Sequence, residues 1–155
     1  QAFAEMQRVL APGGLLMFST FGPDTLKELR IAYQGTDRHT HVNRFIDMHD
    51  IGDMLVHSGF ADPVMDMEVL TLTYADVREL MRDLKAIGAH NVTQGRPAAL
   101  SGRSRLEAMA RNYEAFRRKG RLPATFEVIY GHAWKPQPRI SPTGRRIIEI
   151  KGVQV

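Results

Sequence analysis

The 155-residue chain reads as an α/β fold. Three observations predict it. Helical periodicities alternate with short apolar runs along the chain. Glycines and prolines fall at the junctions between them. One run, Leu15-Leu16-Met17-Phe18, is apolar throughout and bounded by turn residues, as a strand buried on both faces would be. The predicted order is helix, strand, helix, helix, strand, helix, helix, strand, with no internal repeat and no low-complexity segment.

Each element has its own signal. Phe3, Met6, Val9 and Leu10 recur at helical spacing, and Pro12-Gly13-Gly14 breaks that helix ahead of the strand at 15–18. Residues 24–33 read as a helix with Leu26, Leu29, Ile31 and Tyr33 apolar and Asp24 in its first turn. The polar stretch 36–43 reads as a loop. Asp47 is a plausible N-cap for a helix with Ile51, Met54 and Leu55 inward, stopped by Gly59. A strand follows over 64–73. Thr73 is then placed to cap a helix carrying Val77, Leu80, Met81, Leu84 and Ile87 on one face, ended by Gly88. Residues 89–102 hold Gly95, Pro97 and Gly102 and predict a loop. Ser104 and Glu107 have capping-box spacing before a helix burying Leu106, Met109, Ala110, Tyr113 and Phe116. A last strand, 125–134, places Phe126, Val128 and Tyr130 on one face.

Composition bounds the function classes. A hydrophobic fraction of 43% with 25% charged residues is that of a globular domain. The absence of cysteine excludes disulfides, zinc–thiolate sites and a cysteine nucleophile, and suits a cytoplasmic protein. No run approaches the ~20 apolar residues of a membrane span. The net charge of +4 is local: from Lys135 onward there are five cations and one anion, while residues 1–134 balance. The tail 136–155 is therefore expected to be a basic extension to the domain of residues 1–135, and no nucleic-acid partner is expected. His39, His41 and His49 lack ligand spacing, so no metal site is expected.

Arg8-Val9-Leu10-Ala11-Pro12-Gly13-Gly14-Leu15-Leu16-Met17-Phe18-Ser19-Thr20 resembles the segment leading into the fifth strand of class I S-adenosylmethionine (SAM)-dependent methyltransferases. His41-Val42-Asn43-Arg44-Phe45, the element Leu80 to Asn91 and the stretch Leu122 to Gly131 are similar to the malonyl-acyl carrier protein O-methyltransferases that open biotin synthesis. The resemblance covers about residues 1–135. It implies the C-terminal part of a Rossmann-like sheet, strands five to seven with flanking helices, the seventh antiparallel between the fifth and sixth. It also implies that the cofactor-binding N-terminal half is absent. Gly13-Gly14 precedes its strand, whereas a nucleotide-cradling loop follows one, so no cofactor-binding residue is assigned here.

The chemistry implied by resemblance is methylation of the free carboxylate of a malonyl thioester, on acyl carrier protein or coenzyme A, with SAM as the cofactor of the whole protein; the alternatives are a related class I methyltransferase acting on another small carboxylate, or a non-catalytic α+β interaction domain. A carboxylate is already a nucleophile at neutral pH, so no catalytic base is assigned. The site must orient the carboxylate and supply a cation, and the planar fork of Arg suits it. Arg44 is the first candidate and Lys85 the second. Ser19, Thr20 and Phe21, at the C-terminal end of the strand at 15–20, are expected to line the pocket, with Asn43 and Tyr130 as further candidates. The run Arg117-Arg118-Lys119-Gly120-Arg121 reads either as a helix end favoured by its dipole or as a docking face for an acidic carrier protein. The chain opens inside a helical pattern, which predicts a preceding segment. Without it the strand at 15–20 would expose an unpaired edge, so that either a second copy or residues 146–155 cover it or the strand is displaced.

Overall fold

The computed structural model describes residues 1–36, 41–89 and 103–138. His39, most of the predicted loop 89–102 and the segment 146–155 lie outside the described residues. The elements are α1 (Ala2–Val9), β1 (Leu15–Phe21), α2 (Lys27–Tyr33), α3 (Met48–His57), β2 (Ala61–Tyr74), α4 (Val77–Ala86), α5 (Arg103–Tyr113), a 3-10 turn (Glu114–Phe116) and β3 (Leu122–Trp134). Their order is the predicted one. The sheet order is β1-β3-β2, which places the last strand centrally as the resemblance implies. Lys135 N–H donates to Gly14 O at 2.8 Å and Gly22 N–H to Glu127 O at 2.9 Å, so the partners run in opposite directions and the pair is antiparallel.

The chain divides into two compact units. The first comprises Gln1–Phe18, His49–Met65 and Tyr130–Val155. Its core joins Leu55, Phe60 and Ala133 with Phe3, Leu10, Leu16, Phe18 and Met65. Of the stripe expected on α1, Phe3 and Leu10 pack inward, two turns apart on one line, while Met6 and Val9 are exposed. Phe3 meets Phe18 with ring centroids 5.4 Å apart. Beneath Phe18 lies Gly131, where a Cβ would collide with the Phe18 ring. Gly59 ends α3 as predicted, at φ 85°. Phe60 N–H donates to Leu55 O and Gly59 N–H to Val56 O, the two bonds of a Schellman cap, and the buried Phe60 and Leu55 supply its apolar contact. Met54, expected inward on α3, is 40% exposed, because Ile51 and Leu55 define the inner line. Lys135 belongs to the fold as well as to the basic excess. Its Nζ donates to Leu10 O at 2.8 Å, placing a cation at the C-terminus of α1.

The second unit comprises Ser19–Met48 and Asp66–Ile129. Its core gathers Leu29, Ala32 and Tyr33 of α2, Val77, Leu80 and Leu84 of α4, Met109 and Tyr113 of α5, and Leu122, Ala124 and Phe126 of β3. Tyr113 is fully buried, and its hydroxyl donates to Pro123 O at 2.9 Å. Burial pushes this phenol well above its ordinary pKa. Asn112 Nδ2 donates to Ala32 O at 2.9 Å, tying α5 to α2.

Several expectations are corrected. β1 is not buried on both faces: Met17 is 72% exposed and Leu15 is exposed too, because β1 lies at the edge of the sheet order. Among the described residues it pairs with β3 alone. The second helix begins at Lys27 and not at 24, since Leu26 takes a left-handed conformation at φ 54°. Ile31 then points outward, and Ala32, at i+3 from Leu29, takes its place in the core. Thr73 remains within β2, and Asp76 caps α4 by accepting from Glu79 N–H at 2.9 Å. Ile87 lies just past the end of α4 and is exposed. Ser104 sits inside α5, and Glu107 pairs with Arg103 at 3.0 Å instead of closing a capping box. Leu106 is exposed, because the core engages α5 from Met109 onward. β3 does not bury one face only: Ala124 to Glu127 are consecutively buried, as befits a central strand, and Tyr130 is exposed.

The Gly131 contact is testable. Gly131→Ala should destabilise the protein by about 1–3 kcal/mol, the usual cost of overpacking. Pairing it with Phe18→Leu should recover part of the loss, measured by denaturant unfolding.

Candidate functional site

The C-terminal end of β1 carries Ser19, Thr20 and Phe21, with Ser19 exposed and the other two half-buried. Phe21 is anchored from two sides. Its ring centroid lies 5.8 Å from that of Phe45, edge-on, and 6.0 Å from that of Phe126. The segment 41–45 is fixed at three points. His41 stacks on Tyr33 at 3.9 Å, Val42 is buried in the core, and Phe45 rests on Phe21. Asn43, half-buried, and Arg44, exposed, lie between these anchors. The fold thus brings 41–45 to the end of β1, joining two groups of predicted residues that are far apart in sequence.

The other candidates lie elsewhere in the fold. Lys85 is exposed in the last turn of α4, one residue beyond the buried Leu84. Tyr130 falls in the other compact unit. The basic run is largely committed to internal bonds. Arg117 grips Glu114 through two 2.7 Å bonds and also donates to Ala75 O and Gly120 O. Each partner shifts the other, so the Arg117 pKa rises and that of Glu114 falls. Arg121 donates to the Thr73 hydroxyl and carbonyl. The run follows a 3-10 turn and does not form the end of α5.

Two buried carboxylates were not anticipated. Glu28 of α2 and Glu127 of β3 are 7% and 6% exposed. Glu28 accepts from Thr125 N–H at 3.0 Å and from the Thr125 hydroxyl. Glu127 accepts from Asp24 N–H at 2.7 Å, while its own backbone exchanges bonds with the Thr25 hydroxyl. Its carboxylate lies where a Cβ on Gly22 would be. Local pattern gave no signal for this, since Glu127 sits within a predicted strand on the face opposite Phe126 and Val128, where a charged residue reads as solvent-facing.

This arrangement bears on SAM. Gly22 is the glycine that follows β1, yet the space against it is filled by the Glu127 carboxylate, and Asp24 N–H is already bonded. Gly13 and Gly14 form the reversal ahead of β1, closed by Gly14 N–H on Ala11 O at 2.8 Å. No SAM-holding residue is assigned among the described residues.

No protein-family profile matches the chain. Individual relatives do. A malonyl-[acyl-carrier protein] O-methyltransferase of Gallionella capsiferriformans is 63% identical over 147 residues, 95% of this chain and 51% of that protein. Proteins of the same name are 62% identical in Nitrosospira multiformis and 60% identical in a Methylovorus species, each over 97% of this chain and about half of their own length. Among solved structures, a Bacillus halodurans protein described as a candidate methyltransferase is similar at TM-score 0.48 and 18% identity, over 87% of this chain and 57% of that one. The chain is thus homologous along nearly its whole length to the malonyl-[acyl-carrier protein] O-methyltransferases, and it spans about half the length of those it matches.

Proposed function

We propose that these residues form the substrate side of a SAM-dependent methyltransferase that esterifies the free carboxylate of a malonyl thioester, carried by acyl carrier protein or coenzyme A. One observation carries this reading: identity of 60–63% over at least 95% of the chain to proteins named for that reaction. In this reading the chain is a C-terminal part, the whole protein works in the cytoplasm at the entry to biotin synthesis, and a strand outside this chain pairs with the edge of β1 that faces away from β3. No helix among the described residues is long and apolar enough to cross a membrane.

The residues support a division of labour. A malonyl carboxylate is ionised at neutral pH and needs no base to make it nucleophilic. It needs a cation that holds it in one orientation. Arg44 is our choice, because the anchored segment 41–45 fixes its backbone beside the end of β1. Asn43, Ser19, Thr20 and Phe21 complete the surroundings. Lys85, on the exposed side of α4, and Tyr130, on β3, are secondary candidates. Arg118 and Lys119, exposed in the basic run, are the residues offered to an acidic carrier.

Two outcomes test this reading. In the whole methyltransferase, Arg44→Ala should lower kcat/KM for the malonyl thioester by about 100-fold, the equivalent of roughly 3 kcal/mol for a lost charge-assisted contact. Steady-state assays against malonyl thioesters and free dicarboxylic acids would show it. Unchanged turnover would remove Arg44 from the site, and preference for a free acid would point to another small carboxylate substrate. The isolated 155-residue chain should give no calorimetric SAM titration in the micromolar range, whereas a clear one would place a cofactor site within it.

A further inference from the structure

We propose that Glu127 is a positioning residue that holds the turn after β1 and, through that turn, the Ser19–Phe21 end of the candidate site; the functional half of this inference rests on the methyltransferase reading above. The turn Gly22 to Leu26 must leave β1, reverse, and enter α2. Four bonds fix it against β3. Gly22 N–H donates to Glu127 O at 2.9 Å, Asp24 N–H to the Glu127 carboxylate at 2.7 Å, the Thr25 hydroxyl to Glu127 O at 3.0 Å, and Leu26 N–H to Thr125 O at 2.6 Å. Glu127 N–H returns a bond to the Thr25 hydroxyl at 3.1 Å.

Of these, only the carboxylate bond depends on the side chain of Glu127. It satisfies the Asp24 amide, which stands at the apex of the turn. The side chain also fills the space left by the missing Cβ of Gly22, so the two residues are fitted to each other. A buried carboxylate is costly unless hydrogen-bonded, and a charge-assisted bond to a backbone amide is among the stronger neutral-pH contacts available. The consequence reaches the site in one step. Phe21 directly precedes Gly22, and its ring supports Phe45, the neighbour of Arg44. A turn free to shift would move Phe21 and loosen the docking of Phe45. Glu127 thereby acts on Arg44 without touching substrate.

The first test uses the 155-residue chain and hydrogen exchange. Glu127→Ala should speed exchange of the Asp24 amide by at least about 10-fold, while Glu127→Gln, whose amide oxygen can still accept, should keep it within about 3-fold of the parent. Gly22→Ala should mimic Glu127→Ala by driving the carboxylate out, and the double variant should be no worse than either single. Unchanged Asp24 exchange in Glu127→Ala, or additive effects in the double variant, would overturn the turn-holding role.

The second test uses the whole methyltransferase. Glu127→Ala should raise KM for the malonyl thioester about 10-fold or more with KM for SAM unchanged, and Glu127→Gln should restore most of it. A fall in kcat with both KM values unchanged would mean loss of active protein only and would overturn the positioning role. Absence of any methyl transfer by the parent would instead overturn the functional reading, and the exchange result would still decide whether Glu127 holds the turn.

Discussion

The structure depends on β3 occupying the centre of the sheet. β1 and β2 each pair with it and not with each other. A central strand has no free edge, and from Ala124 to Glu127 this one is buried on both faces, so its sequence there must suit both at once. Small residues stand where bulky neighbours cross. Gly131 lies under Phe18, and Ala133 lies in the cluster with Leu55 and Phe60. Large residues fill the rest, with Leu122 and Ile129 fully buried.

The polar residues of β3 are the more instructive part. Thr125 and Glu127 are both buried, and an isolated buried carboxylate would cost several kcal/mol or change its protonation. Neither residue is isolated. Thr125 is held by Glu28 from α2, and Glu127 by the turn that leads to α2. A slip of β3 by one residue would turn both side chains to the opposite face and leave the Asp24 amide and the Glu28 carboxylate unpaired. An apolar pair at these positions would pack in either register. The polar pair therefore specifies the alignment of β3 with β1, and with it the geometry of the turn that carries Phe21.

The element order and most helix stops were legible from local signals. Gly59 and Gly88 end their helices with φ of 85° and 72°, a conformation that glycine adopts without penalty. Local signals failed where tertiary structure competed with them. Thr73 looks like a cap, but β2 runs on through Tyr74 and Asp76 caps instead. Leu26 fits an apolar helical stripe, yet the bond from Leu26 N–H to Thr125 O holds it in the turn. β1 reads as doubly buried from its apolar run alone, which reports composition and not neighbours. Of the site, the proximity of 41–45 to the end of β1 could be expected only through resemblance, because nothing in local spacing shows that Phe45 meets Phe21. Glu28 and Glu127 were missed because charged residues in amphipathic elements are ordinarily assigned to water.

The basic run at 117–121 divides between arginines committed to internal bonds and cations left at the surface. Arg117 spends its fork on Glu114 and its remaining donor on two carbonyls, one of them Ala75 at the entrance to α4. Arg121 binds both polar groups of Thr73, near the end of β2. These two arginines clamp the chain around the entry to β3, and withdrawing either to meet an acidic partner would leave carbonyls unpaired. Among the described residues Arg118 donates to carbonyls of its own turn, and Lys119 stands in a left-handed conformation at φ 47° that turns the chain toward Gly120. Under the proposed docking of an acidic carrier, the partner would meet a field supplied by all four cations and make its contacts with Arg118 and Lys119. Long-range attraction does not require a free fork, whereas a bidentate contact does.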